Sequence, residues 1–135
     1  MPSPPTESGS PIRLVVCDDD SAFRFLVRNW LRLEPAFEIV AEVGDVIELV
    51  PAVAACRPDV VIVDGGSRPE SARDPVADVR RIHPAARVLV VSGMPAWTLK
   101  ELIAITRADG GVSKSEGMDA LVDAIRRVAA ADKGR

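Results

Sequence analysis

Short apolar runs alternate along the chain with longer segments in which apolar residues recur at helical spacing. The runs cover 12–17, 37–43, 60–64, 87–91 and 110–113, and most are rich in valine and isoleucine. Runs of this kind between polar or turn-forming residues predict strands buried on both faces of a sheet. The second run is interrupted by Glu38 and Glu42, so we expect its strand to lie near an edge.

The segments between the runs predict five helices. The first follows Asp20 or Ser21, either of which can cap it, and Pro35 ends it. The others cover about 44–56, 75–82, 97–106 and 118–130. The second helix contains Pro51, which is tolerable only if the helix begins late and the proline falls in its first turn.

Helical spacing on the first helix places Leu26 and Trp30 on the buried face, together with Phe23, Val27 and Leu31. Phe25 on this helix and Trp97 on the fourth fall outside the buried faces. Exposed aromatic residues are enriched at interfaces, so both are candidates for a dimer face. The only histidine, His83, precedes a proline without a carboxylate or thiol at ligand spacing, which predicts a loop residue.

Strands that alternate with helices predict an α/β fold with a parallel sheet, covered on both faces through right-handed crossovers. All strands of such a sheet end at the same edge, where open α/β sheets bind ligands. The groups that would meet there are Asp18, Asp19, Asp64, Ser92 and Lys114. Crowded carboxylates repel one another, and a divalent cation would remove that conflict. Ligands that are all oxygen atoms favour Mg²⁺. By itself, Asp64-Gly65-Gly66 favours an ordinary turn, and only the other polar groups at this edge favour a site.

Composition narrows the class of protein. A chain of 135 residues, 47% apolar and 27% charged, fits one compact globular domain. With 17 basic and 20 acidic side chains the net charge is −3, which predicts no binding of nucleic acid by this domain. Cys17 and Cys56 lack metal-ligand spacing and predict reduced thiols of a cytoplasmic protein. No apolar run is long enough to span a membrane. Residues 1–11, rich in proline and serine, predict a disordered tail.

The motifs at the predicted strand ends, taken together, resemble the receiver domain of two-component response regulators. They are Val16-Cys17-Asp18-Asp19, Asp64, Ser92-Gly93 and Gly110-Gly111-Val112-Ser113-Lys114. The resemblance covers residues 12–131 and leaves 132–135 as a tail or the start of a linker. It implies a doubly wound, flavodoxin-like sheet of five strands in the order 2-1-3-4-5 with five helices. The Lys114-Ser115 pair resembles the sequence of the NarL/LuxR-type branch of this family at the same position.

The resemblance also implies a function. Asp64 would take a phosphoryl group from a sensor histidine kinase, with Lys114 and Ser92 contacting the phosphate. Asp18, Asp19, Asp64 and the Gly66 carbonyl would hold Mg²⁺. The domain would be a signalling switch and not a turnover enzyme. Its partners would be the kinase, a second copy in a homodimer, and a DNA-binding effector domain outside this chain.

One departure from the family pattern keeps alternatives open. Receivers usually carry an aromatic residue three positions before the lysine, and here that position is Gly111. An aromatic rotamer switch at this position is therefore excluded. One alternative is a receiver-fold interaction module that works without phosphorylation. The other is a small Mg²⁺-dependent phosphohydrolase that uses Asp64, although no second acid stands two residues after it.

Overall fold

The computed structural model describes residues 10–66 and 69–131. They form a five-stranded parallel sheet in the order β2-β1-β3-β4-β5, which confirms the predicted fold class. The strands are β1 (Ile12–Cys17), β2 (Phe37–Val43), β3 (Val60–Asp64), β4 (Arg87–Ser92) and β5 (Gly110–Ser113). The glutamate-containing strand β2 lies at one edge, as expected. The expectations for residues 1–9 and 132–135 lie outside the described residues.

Five α-helices cover the two faces of the sheet. They are α1 (Ser21–Leu31), α2 (Val46–Cys56), α3 (Arg73–Ile82), α4 (Leu99–Thr106) and α5 (Met118–Ala130). Helices α1 and α5 pack on one face and α2, α3 and α4 on the other, so the described residues form an apolar cluster on each face. Strand β1 contributes to both clusters, because Leu14 and Val16 face the first and Val15 and Cys17 face the second. Alternation along the strands thus buries both faces.

The N-terminal cap of α1 is Asp20, whose carboxylate accepts hydrogen bonds from the N–H groups of Ala22 and Phe23. The buried stripe of α1 is narrower than predicted. Phe23, Val27 and Leu31 are buried as expected. Two assignments are wrong, since Leu26 is 53% exposed and Trp30 is 42% exposed. A single helix on a sheet buries a row spaced by four residues, and residues beside that row stay in contact with water.

The expectation that Pro51 lies in the first turn of α2 is also wrong. The Asp45 carboxylate accepts a hydrogen bond from the Glu48 N–H, so the helix already begins at Val46 and Pro51 lies in its interior. Proline there removes one main-chain hydrogen bond. The helix persists because Leu49 and Val53, on either side of the proline, are almost completely buried against the sheet.

The segment before α4 begins as a short 3₁₀ turn, Ala96–Thr98, and the α-helix itself starts two residues later than predicted, at Leu99. Trp97 in this turn is 84% exposed, which confirms that it lies outside the core. Phe25 is also exposed, as predicted. Cys17 and Cys56 are free thiols. Among the described residues, no helix combines the length and apolarity that a membrane crossing requires.

Candidate functional site

The sheet register brings the predicted site residues to one edge. Cys17 pairs with Val63, so Asp18 follows β1 at the level where β3 ends in Asp64. At the end of β4, Ser92 pairs with Ser113, and Lys114 follows directly. Parallel strands with matched ends therefore place the acids, the hydroxyl and the ammonium together, as the sequence predicted.

Three carboxylates form the acidic half of the site. Asp18, Asp19 and Asp64 each offer an oxygen, and these atoms lie within 4.8 Å of one another. Asp18 is buried, Asp64 is half-buried and Asp19 is exposed. The Asp20 N–H donates to Asp18 Oδ1 over 2.8 Å, which fixes that side chain. Such a set of hard oxygen atoms, open to water on one side, is suited to a divalent cation.

The turn after β3 fixes the orientation of Asp64. The Gly66 N–H donates to Asp64 Oδ1 over 3.1 Å, and Gly66 has a φ of +66°, in the left-handed region that favours glycine. Burial is the main cause that raises the pKa of the Asp64 carboxyl, and the charges of Asp18 and Asp19 raise it further. The Gly66 hydrogen bond and Lys114 act in the opposite direction without cancelling the rise.

Lys114 supplies the positive charge of the site. Its Nζ lies 2.9 Å from Asp18 Oδ2 and 3.8 Å from Asp64 Oδ1. The same atom lies 4.2 Å from the centre of the Phe23 ring. Burial alone would lower the pKa of Lys114, but the contact with Asp18 and the charge of Asp64 outweigh burial and raise it. The ammonium is therefore charged at neutral pH.

Ser113 holds the turn that presents Lys114. The Ser113 hydroxyl donates to the Met94 carbonyl over 2.6 Å, which ties the end of β5 to the turn after β4. The side chains of Ser113 and Glu116 also form a reciprocal capping box. Sequence reasoning missed this residue, although the Ser-x-x-Glu spacing was a visible signal.

Ser92 is fully buried, and its Oγ accepts a hydrogen bond from the Met94 N–H over 3.0 Å. Its hydroxyl is thus tied to the turn after β4, while Asp64 and Lys114 line an open cleft of about 640 Å³. The cleft is also lined by residues that the sequence did not indicate as site residues, among them Asp20 and Ser71. Gly66, predicted as a metal ligand through its carbonyl, lines the same cleft.

Two groups outside the cleft are excluded from its chemistry. Burial, followed by the charge of Asp18, raises the pKa of the Cys17 thiol to about 12, so this cysteine is not a nucleophile at neutral pH. His83 lies at the opposite edge of the sheet, where its Nε2 is 2.9 Å from the Pro58 carbonyl. It occupies a loop, as predicted, but it is buried.

Ile103 of α4 occupies the space beside Gly111. A Cβ atom added at Gly111 would lie 3.2 Å from Ile103 Cγ1. An aromatic side chain at this position would have to displace the Ile103 side chain. The structure thus gives a packing reason for the glycine at this position of β5.

Known proteins with this sequence pattern and fold are response regulators. The chain is 31% identical to the transcriptional regulatory protein DegU of Brevibacillus brevis over 87% of its length and 50% of that of DegU. It is 27% identical to the nitrate/nitrite response regulator NarP of Escherichia coli over 92% of its length and 58% of that of NarP. No protein-family model matches the sequence.

A solved structure gives the same result for the fold. The signal receiver domain of the putative response regulator NarL from Mycobacterium tuberculosis superimposes with a TM-score of 0.76 at 27% identity. The match covers 93% of this chain and 99% of that domain. The chain is a response-regulator receiver domain. These relatives confirm the NarL/LuxR-type branch, and neither alternative function is favoured by them. The receiver spans only 50% and 58% of the DegU and NarP chains.

Proposed function

We propose that this receiver domain is switched by phosphorylation of Asp64. The observation that carries the proposal is the position of the Asp64 carboxylate, half-buried in an open cleft beside the Asp18 and Asp19 carboxylates and the Lys114 ammonium. A carboxylate oxygen of Asp64 would attack the phosphorus atom of a phosphohistidine on a sensor kinase. The new P–O bond forms as the P–N bond breaks, and the electron pair of the P–N bond returns to the histidine ring.

The acidic cluster fits Mg²⁺ as the cofactor of this transfer. Asp18, Asp19 and Asp64 would hold the ion together with the Gly66 carbonyl, and water would complete its shell. When bound, Mg²⁺ supplies positive charge to the phosphoryl oxygens. The all-oxygen donor set and the half-open cleft both support this cation over zinc.

Lys114 and Ser92 would both act on the phosphoryl group. The Lys114 ammonium is already 3.8 Å from Asp64 Oδ1 and would pair with a phosphoryl oxygen. The Ser92 hydroxyl, now bonded to the Met94 N–H, would turn to donate to the phosphate. That movement would release the turn before α4 and change the surface formed by α4 and β5. Output would thus pass through main-chain and helix shifts.

The full protein would connect this switch to an output outside the chain. The relatives are transcriptional and response regulators, and the chain spans only about half of their length. We therefore propose residues 12–131 as the receiver, 1–11 and 132–135 as flanking segments, and a DNA-binding effector as the partner domain. A sensor histidine kinase would be the phosphodonor, in the cytoplasm. The domain would serve as the kinase's substrate and not as a turnover enzyme.

A second copy of the chain is the other proposed partner. The residues predicted for a dimer face, Phe25 on α1 and Trp97 before α4, are both exposed, and aromatic residues are enriched at interfaces. Leu26, Trp30 and Leu33 are further exposed apolar side chains on and just after α1. A concentration series in analytical ultracentrifugation, with and without phosphorylation, tests dimer formation directly. A monomer under both conditions would contradict the homodimer.

Intact-mass spectrometry after incubation with acetyl phosphate tests the phosphorylation itself. We expect a single phosphate adduct that requires Mg²⁺ and is absent from Asp64→Asn. Asp123→Asn, an exposed acid on α5, is the matched control and should be phosphorylated like the wild type. If neither acetyl phosphate nor a phosphorylated kinase gives an adduct on the wild type, the proposal is wrong.

A further inference from the structure

Phe23 places an aromatic face against the ammonium that serves the cleft. The Lys114 Nζ lies 4.2 Å from the centre of the Phe23 ring, inside the range of about 6 Å for a cation–π contact. The ring is itself buried, with 7% of the residue exposed, and the Lys114 side chain is 23% exposed. A cation–π attraction is stronger where water is excluded, as it is on this side of the lysine.

The main chain connects the ring to the acidic turn. Phe23 stands in the first turn of α1, and its N–H donates to the Asp20 carboxylate over 3.2 Å. The Asp20 N–H in turn donates to Asp18 Oδ1, and Asp18 Oδ2 lies 2.9 Å from the Lys114 Nζ. The ring and the carboxylate therefore approach the same ammonium from one continuous segment, 18–23. Two carboxylates and a π face thus lie beside the ammonium.

We infer that Phe23 is a positioning residue for Lys114. Its ring attracts the ammonium and keeps water from it on one side, so that the charge stays within reach of Asp64. The inference rests on the proposed function, because the Lys114 charge matters for rate only if Asp64 is phosphorylated. Phe23 itself does not line the open cleft.

The alternative is that Phe23 only fills the core. The chain offers a matched control for this alternative in Phe37, which is also 7% exposed and belongs to the same apolar cluster. Phe37 also lies beside a cation, 5.3 Å from Arg126 Cζ. It begins β2 at the edge of the sheet opposite to the cleft. Phe23→Leu and Phe37→Leu therefore remove equivalent rings, and only the first ring contacts Lys114.

The kinetic test is the rate of Asp64 phosphorylation by acetyl phosphate at saturating Mg²⁺, measured well below both melting temperatures. We expect Phe23→Leu to lower the maximal rate constant about threefold to tenfold, with the half-saturating concentration of acetyl phosphate unchanged. Phe37→Leu should keep the wild-type rate constant. In a Lys114→Met background, Phe23→Leu should cause no further loss. Equal rate constants for the two phenylalanine variants would overturn the inference.

A spectroscopic test reads the contact without any phosphorylation. The chain has three lysines, Lys100, Lys114 and Lys133, so ¹³C-labelled lysine gives few signals, and Lys114→Arg assigns the relevant one. Ring current from Phe23 should shift the ε-methylene protons of Lys114 upfield. Phe23→Leu should abolish this shift, and Phe37→Leu should retain it. An unshifted Lys114 signal in the wild type would overturn the contact.

The two measurements separate the failure of this inference from the failure of the proposed function. A wild-type protein that takes no phosphate refutes the function, whatever the lysine spectrum shows. A phosphorylated wild type with equal rates in both phenylalanine variants refutes only the positioning role. If Phe23→Leu does not fold, pentafluorophenylalanine at position 23 preserves the shape of the ring and removes the attraction for a cation. The same loss of rate is then expected.

Discussion

At the residue scale, the charges in the cleft are unbalanced. Among the described residues, Lys114 is the cation within salt-bridge distance of Asp18 and Asp64, while Asp19 and Asp20 add further negative charge at the same edge. Asp64 is held at this edge against the cost of its burial, which is the main cause of its raised pKa. The charged Asp64 carboxylate therefore destabilises the folded protein when no metal is bound.

The first prediction is that Asp64→Asn stabilises the protein without metal at neutral pH, by a few degrees in Tm. The pKa of Asp64 is raised in the folded protein above its ordinary value of 3.8, so folding favours the protonated form. The contribution of the wild-type carboxyl to stability is then highest below about pH 4 and falls as the pH rises through the folded pKa. Thermal melts of both proteins in EDTA, from about pH 3.5 to about pH 7, measure this effect. The difference between the two melting temperatures should grow as the pH rises.

Asp123→Asn serves as the control for that experiment, because its carboxyl is exposed on α5. Asp123→Asn should show no comparable rise in melting temperature. A lower melting temperature for Asp64→Asn than for the wild type at neutral pH would contradict the interpretation of the cleft as a strained site.

At the scale of the elements, each helix is defined by the row of residues that reaches the sheet. Helix α1 buries Val27 and Leu31 and leaves Leu26 and Trp30 partly in water. Helix α2 starts at its Asp45 cap and continues through Pro51. In both helices, contacts with the sheet decide what local sequence signals leave open.

The second prediction compares one substitution at two positions of α1. Leu31→Ala should lower the free energy of unfolding by about 2–5 kcal/mol, because Leu31 is 1% exposed and its removal leaves a cavity. Leu26→Ala, at a position that is 53% exposed, should cost less than about 1 kcal/mol. Urea unfolding followed by circular dichroism measures both. Similar losses for the two variants would mean that Leu26 is part of the core after all.

The third prediction concerns Pro51. Pro51→Ala should raise the free energy of unfolding by about 1–2 kcal/mol, because alanine restores an N–H that can donate to the Ile47 carbonyl. Part of the gain is offset by the greater freedom of the unfolded chain. Pro35→Ala is the matched control, since Pro35 lies in the turn after α1. The free energy of unfolding of Pro35→Ala should be lower than that of the wild type by about 0.4–1 kcal/mol. A destabilised Pro51→Ala protein would show that the proline fits a local shape which alanine does not maintain.

At the scale of the whole molecule, the cleft joins separate segments of the chain. The acids come from the ends of β1 and β3, and the ammonium comes from the end of β5. Strands β1 and β3 are hydrogen-bonded neighbours in the sheet. A cation between their ends would therefore stabilise the folded protein but not the unfolded chain. The unfolded chain cannot assemble the same set of oxygen atoms.

The fourth prediction is that Mg²⁺ stabilises the wild-type protein. At a free Mg²⁺ concentration about 100-fold above the dissociation constant, the free energy of unfolding should rise by about 2.7 kcal/mol. Thermal melts with increasing MgCl₂, compared with matched additions of NaCl, measure it. Asp18→Asn should lose most of the gain, and Asp123→Asn should retain it. A melting temperature that responds equally to both salts would contradict a specific metal site.

The sequence alone determined the order and type of the elements, the parallel sheet and the residues at its functional edge. It could do so because apolar periodicity is local and because parallel strands must end at one edge. The tertiary structure alone decided which flank of α1 is exposed, how α2 tolerates Pro51, why Gly111 faces Ile103 and where the Lys114 ammonium rests. These features depend on contacts between segments far apart in the chain, and spacing within a segment carries no information about them.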